Sequence, residues 1–203
     1  KYLPGGLDIH CGGIDHVAVH HTNEIAQSES ALDGQWCNVW LHGEFLTFAK
    51  PSGGDGKMSK SSGEFLTLER LTAKGYPALA YRLFLLGAHY RQQLAFTEEA
   101  MGAAANAFGR LERSVIELKA NLDAPGTPIA AHVDTFFAAA FEDLNMPQCL
   151  AEMWAALKNA DASAADRYAT LLAMDAILGF GFDTMAAEDT ASDPEAAEIE
   201  AFL

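Results

Sequence analysis

The sequence predicts an α/β segment followed by an α-helical bundle, mostly α overall, and three observations carry that expectation. Short apolar runs at Leu7–His10 and Trp36–Leu41 are too brief for helices and read as buried strands. A glycine-bounded loop rich in lysine and serine, Gly56-Lys57-Met58-Ser59-Lys60-Ser61-Ser62-Gly63, separates them from the remainder. From Leu66 onward, apolar residues recur at helical spacing almost to the end of the chain.

Composition narrows the class. A chain of 203 residues holds one large or two small domains. No run approaches the ~18 apolar residues of a membrane helix, and the first residues lack a basic-then-apolar signal pattern, so no membrane partner is expected. Acidic residues dominate, with 28 Asp plus Glu against 13 Lys plus Arg, which argues against nucleic-acid binding through the whole surface. The basic residues are unevenly spread, however. Lys57, Lys60, Arg70, Lys74, Arg82, Arg91, Arg110, Arg113 and Lys119 fall in the middle, and nothing basic follows Arg167. This distribution suits one local surface for a polyanion. Cys11, Cys37 and Cys149 are odd in number and lack paired spacing, so a disulfide framework is not expected and a reducing cytoplasm is.

The chain opens on Lys1-Tyr2-Leu3-Pro4-Gly5-Gly6 and runs at once into the first strand, which reads as a piece of a larger protein. His10, Cys11, Asp15, His16, His20, His21 and Glu24 then form the densest group of metal-ligand chemistry. A helix from about Val19 to Leu32, ended by Asp33-Gly34, sets His20 and Glu24 four apart on one side. Imidazole and carboxylate suit zinc, but two ligands do not make a site; each histidine can equally be a hydrogen-bonded core residue. Trp36, Val39, Trp40 and Leu41 read as a buried strand with His42 at its end, and Phe45–Phe48 as a second short one.

The glycine-bounded loop follows Pro51–Asp55. It offers cationic and hydroxyl donors to a polyphosphate, without the Gly-x-x-x-x-Gly-Lys-Ser/Thr pattern of a P-loop. Helical stretches are expected at Leu66–Leu71 and Pro77–Arg91. Thr97-Glu98-Glu99 caps the first bundle helix, which runs to about Leu122. Three more helices are expected at Ile129–Leu144, Pro147–Ala160 and Ser163–Gly179. The acidic tail Asp183–Leu203 reads as a linker or a fraying helix.

Several of these stretches together carry a resemblance. Leu7-Asp8-Ile9-His10-Cys11-Gly12-Gly13-Ile14-Asp15, then His20-His21-Thr22-Asn23-Glu24-Ile25-Ala26-Gln27-Ser28, then Trp40-Leu41-His42 and Lys57-Met58-Ser59-Lys60-Ser61, resemble the cysteinyl-tRNA synthetase family of class I aminoacyl-tRNA synthetases. The similarity continues through Leu83–Arg91 and Glu142–Pro147 and covers most of the chain. It implies the C-terminal part of a Rossmann-type catalytic domain at 1–50 and the lysine loop with stem-contact helices at 51–95. An anticodon-binding-like helical bundle would follow at 96–182, and an acidic tail at 183–203.

For chemistry, the resemblance implies ATP-dependent activation of cysteine, with Mg2+, and its transfer to tRNA. Catalysis would rest on positioning and charge stabilisation. A zinc ion would hold the substrate thiolate and so reject serine, with His20 and Glu24 as two ligands and the family's cysteine ligands upstream of residue 1. Gly12, Gly13 and Asp15 would meet the adenosine, although Asp15 also suits a turn residue bonding its own backbone. Lys57 and Lys60 would stabilise the pyrophosphate, Lys60 also counting among the ATP contacts. Arg70, Lys74, Arg82 and Arg91 would touch tRNA phosphates or else remain solvated.

Two departures stand out: Cys11 occupies a position where many members have glycine, and Thr22 replaces a common glutamate. The implied protein is a cytoplasmic monomer whose partners are tRNA, cysteine and ATP. The His-x-Gly-His phosphate motif of class I enzymes is not in these residues, so the chain alone is expected not to complete adenylation. Two alternatives stay open: the related cysteine ligase of mycothiol biosynthesis, and a non-catalytic tRNA-binding fragment.

Overall fold

The computed structural model describes residues 6–49, 55–56 and 67–186. The chain divides into two compact units, residues 1–107 with 138–150 and residues 108–137 with 151–203.

The first unit begins with a β-α-β turn of structure. Strand β1 (Leu7–Gly13) pairs in parallel with β2 (Cys37–Gly43), Leu7 opposite Cys37 and His10 opposite Trp40. Parallel neighbours need a crossover, and α1 (His20–Leu32) supplies it after a 3-10 turn at Ile14–His16. The helix stops where expected, at Asp33, whose φ of 53° is left-handed and whose N–H returns to the Glu29 carbonyl.

The two strands are not buried as the apolar runs suggested: Ile9 is 60% and Val39 52% exposed, and Trp36 and Trp40 are half-buried. Alternation along each strand is the reason. His10, Trp40 and His42 share the face that α1 covers, whereas Ile9, Cys11 and Val39 lie on the other and are exposed.

A second, mixed sheet of the same unit has the order β4-β3-β5. Strand β3 (Leu46–Ala49) pairs antiparallel with β4 (Asp55–Gly56) and parallel with β5 (Leu94–Phe96). Strand β5 lies in a stretch that carries no strand pattern of its own; at three residues it is too short for alternation to show. Helix α2 (Leu68–Ala73) is capped by Thr67, whose hydroxyl accepts the Arg70 N–H. Helix α3 (Ala78–Leu86) ends at Gly87, earlier than the expected Arg91. The residues beyond it turn away, Tyr90 through its carbonyl to the Glu44 N–H at 2.8 Å. Leu71, Ala80, Leu83, Phe84, Phe96 and Met101 form the core here, Phe84 standing edge-on to Phe96 at 5.9 Å.

Helix α4 (Glu98–Ala120) begins under the Thr97 cap, whose hydroxyl accepts the Ala100 N–H at 3.0 Å, and its second half belongs to the second unit. With α5 (Ala130–Phe141), α6 (Met146–Lys158) and α7 (Ala164–Leu178) it makes up the expected set of bundle helices. Helix α5 stops three residues before the expected Leu144 because Asp143 and Leu144 take left-handed φ of 52° and 57°.

In the second unit Phe108, Leu111, Val115, Phe136, Met153, Leu171, Met174 and Phe182 are buried together. The backbone at Gly126 meets the start of α7 so closely that a Cβ would lie 1.9 Å from the Ala165 carbonyl oxygen. His132 joins α5 to α6, its Nδ1 2.5 Å from Glu152 Oε1 and its Nε2 3.1 Å from Asn159 Nδ2. The described residues contain no helix long and apolar enough to cross a membrane.

Candidate active site

The α1-facing side of β1 and β2 gathers five histidines around one carboxylate. Glu24, one turn into α1, lies with Oε2 2.8 Å from His10 Nε2 on β1 and 3.9 Å from His21 Nε2. Its other oxygen is 3.5 Å from His20 Nε2. His21 is 3% exposed and its Nδ1 meets His42 Nε2 on β2 at 2.8 Å. Trp36 and Trp40 wall the cluster: the His10 ring stands edge-on to Trp40 at 4.9 Å, and Trp40 is parallel to His42 at 6.4 Å.

Electrostatics follow from this crowding. Burial works against ionising Glu24, yet the His10 hydrogen bond and the neighbouring imidazoles outweigh it and hold the carboxyl below its usual range. Burial, reinforced by His10, His42 and His16 against the pull of Glu24, keeps the His21 imidazole below the usual histidine range. A neutral imidazole beside an ionised carboxylate is the protonation state that metal ligands need.

The expected pair, His20 and Glu24, is thus together on one side of α1. The structure adds His10 and His21 to it: one donor atom from each of His10, His21 and Glu24 lies within 4.8 Å of the others, and the same holds for His16, His20 and His21. Sequence reasoning had placed these histidines in the metal-chemistry group without singling them out as ligands. No local signal singles them out: His10 meets Glu24 through the parallel pairing that sets it opposite Trp40.

Gly12 lies directly beneath the rings, where a Cβ would come 2.4 Å from His21 Cε1 and 2.8 Å from His16 Nδ1. At Gly13 a Cβ would come 2.6 Å from Asp15 Oδ1, and Asp15 is exposed on the 3-10 turn. Lys57 and Lys60 lie outside the described residues. Arg70, Lys74, Arg82 and Arg91 are all exposed. Lys74 Nζ pairs with Glu98, and Arg91 Nε lies 2.6 Å from Asp143 Oδ2.

The family model described as tRNA synthetases class I (C) catalytic domain matches residues 1–106, which include the histidine cluster and the lysine loop. The chain belongs to that family. This synthetase chain is 43% identical over 201 residues to the cysteine–tRNA ligase of Treponema denticola, covering 88% of itself and 40% of that protein. To cysteine–tRNA ligase 1 of Burkholderia lata it is 44% identical over 186 residues, covering 89% of itself and 37% of the relative. It therefore spans about two fifths of the length of these curated relatives.

Among solved structures, the LeuRS–tRNA–LeuAMS ternary complex of Agrobacterium radiobacter K84 agnB2 superposes with a TM-score of 0.66 over 85% of this chain and 25% of that one, at 15% identity. That likeness shows the fold alone, and it bears out a Rossmann-type fragment followed by helices.

Proposed function

We propose that this synthetase chain is the C-terminal portion of a cysteine–tRNA ligase, which activates cysteine with ATP and transfers it to tRNA. The observation that carries the reading is 43% identity to a cysteine–tRNA ligase over 88% of the chain. The imidazole-and-carboxylate cluster supports it. His20 and Glu24, with His10 and His21 beside them, offer nitrogen and oxygen donors that fit zinc, although the direct His10–Glu24 bond would open to admit an ion. Such an ion would supply a soft Lewis acid for the substrate thiol, which an alcohol cannot match.

The chain's own residues do the rest. His42 holds the Nδ1 side of His21 and so sets which ring nitrogen faces the site. The Trp36 and Trp40 rings exclude water from one side. Gly12 and Gly13 let the backbone approach the adenosine, with Asp15 as acceptor for its ribose, and Lys57 and Lys60 stabilise the pyrophosphate, with Mg2+ on the nucleotide. Arg70, Lys74, Arg82 and Arg91 meet tRNA phosphates. The domain plan is the one the resemblance implies, with boundaries near residues 50, 95 and 182, and the enzyme works as a cytoplasmic monomer. Three free cysteines suit that reducing setting.

Cysteine-dependent exchange of pyrophosphate into ATP tests the reading. The whole protein to which the chain belongs is expected to show exchange with cysteine and not with serine, and to charge tRNA; the isolated chain is expected to show neither. Failure of the whole protein to charge tRNA with cysteine would overturn the ligase. Exchange by the chain alone would overturn the partial-enzyme reading.

A further inference from the structure

We infer that Tyr90 and Asp143 couple a phosphate contact at Arg91 to the Gly43–Glu44 segment at the carboxyl end of β2, acting as positioning residues that touch no substrate themselves. The inference rests on the proposed ligase reading, because it takes Arg91 as a contact for tRNA phosphate.

Tyr90 is tied at both of its polar ends. Its carbonyl accepts the Glu44 N–H at 2.8 Å, and the position a Cβ would occupy on Gly43 is 3.7 Å from that same carbonyl oxygen. Gly43 is the last residue of β2 and stands opposite Gly13 in the parallel register. The segment therefore adjoins the carboxyl ends of the two strands, where open α/β sheets bind their ligands. Glu44 also carries a buried carboxylate oxygen, Oε2, with no hydrogen-bond partner among the described residues, so whatever moves this segment moves an acceptor ready for a donor.

At its other end the Tyr90 hydroxyl donates to Asp143 Oδ1 at 2.5 Å. Arg91 grips the same carboxylate with two donors, Nε to Oδ2 at 2.6 Å and Nη2 to Oδ1 at 3.2 Å, and its guanidinium lies 5.1 Å from the centre of the Tyr90 ring. Asp143 and Leu144 both take left-handed φ, 52° and 57°, which residues with a β-carbon seldom adopt. Leu144 is 47% exposed, so burial of its side chain does not hold the turn in this shape. The three hydrogen bonds on Asp143 brace it.

A phosphate diester offers Arg91 the same forked geometry as a carboxylate and competes with Asp143 for it. When Arg91 turns to phosphate, Asp143 keeps only the bond from Tyr90, the turn loses most of its brace, and Tyr90 is free to shift the Glu44 amide that it holds. Phosphate at Arg91 thus loosens the segment at the strand ends, and tRNA and ATP weaken each other's binding by the same factor.

The test uses the whole protein and reads the KM for ATP in cysteine-dependent pyrophosphate exchange, with and without a tRNA whose terminal ribose lacks its hydroxyls and so accepts no amino acid. In wild type that tRNA is expected to raise the KM by about fivefold or more. In Tyr90→Phe and in Asp143→Asn the same ratio should fall below about twofold. Each ratio compares one protein with itself, so a general loss of stability or activity cancels, and circular dichroism verifies the fold of each variant. A wild-type ratio near unity overturns the link, and so does a wild-type ratio kept in either folded variant, which is what direct crowding of tRNA against ATP would give. Failure of the whole protein to charge tRNA with cysteine would remove the ligase reading and the link with it, whereas charging with an unchanged ratio in the variants removes the link alone.

Discussion

Glu24 draws three imidazoles within 3.9 Å, and its carboxyl stays easily ionised although burial opposes it. If it is a ligand of the whole enzyme, Glu24→Gln should lower zinc retention about 10- to 100-fold, read by metal analysis after dialysis against a chelator; full retention would remove it from the ligand set. Gly12 has a packing role under the same rings. Gly12→Ala pushes a methyl into His21 and His16 and should cost about 1–3 kcal/mol in urea unfolding, and an unchanged midpoint would show that the rings yield freely. Asp143 is held below its usual range by Arg91 first and then by Tyr90. Its folded pKa is depressed, so its contribution is present above the unfolded value near 3.8 and is lost as pH falls through the lower folded value. Asp143→Asn should therefore melt below wild type at neutral pH, and the gap in Tm should narrow in acid. Asn tolerates the left-handed φ of 52°, so backbone strain would not mimic the effect.

Helix ends are where local sequence is easiest to test. Ser163 accepts the Asp166 N–H at 3.0 Å and starts α7, while Gly179, with φ of 63°, ends it. Ser163→Ala should lower stability by about 0.5–2 kcal/mol, measured by chemical denaturation; a loss near zero would mean that packing alone holds the first turn. Just beyond, Asp175 accepts N–H bonds from Phe180, Gly181 and Phe182 at 2.7, 2.8 and 3.0 Å, which folds the two phenylalanines into the core of the second unit. A stronger effect belongs to the packed faces themselves. Phe136, 0% exposed on α5, leaves a large cavity as Ala and should cost about 3–5 kcal/mol.

At the scale of the whole chain, a formal charge of −15 repels a polyanion, so any tRNA contact must be local. All four basic candidates are exposed, and Lys74 and Arg91 already face Glu98 and Asp143, so phosphate must compete for them. Replacing Arg70 and Arg82 together by Ala should weaken tRNA binding and flatten the slope of log affinity against log salt by about 2, read by filter binding across a salt series. An unchanged slope would take both residues off the tRNA surface.

Local periodicity and end signals were enough to read α1 with its His20–Glu24 spacing, the Thr97 cap, and α4 to α7, because each depends on residues within a turn or two of one another. Motif order pointed to the synthetase family for the same reason, since its marks are short contiguous stretches. Which imidazole meets Glu24 was decided only in three dimensions. The His10 bond joins residues 14 apart, and it exists because the parallel pairing of β1 and β2 turns His10, Trp40 and His42 toward α1. Strand β5, the pairing of Arg91 with Asp143 52 positions away, and the early ends of α3 and α5 have the same origin. Contacts of that range depend on strand register and backbone turns, which no window of neighbouring residues encodes.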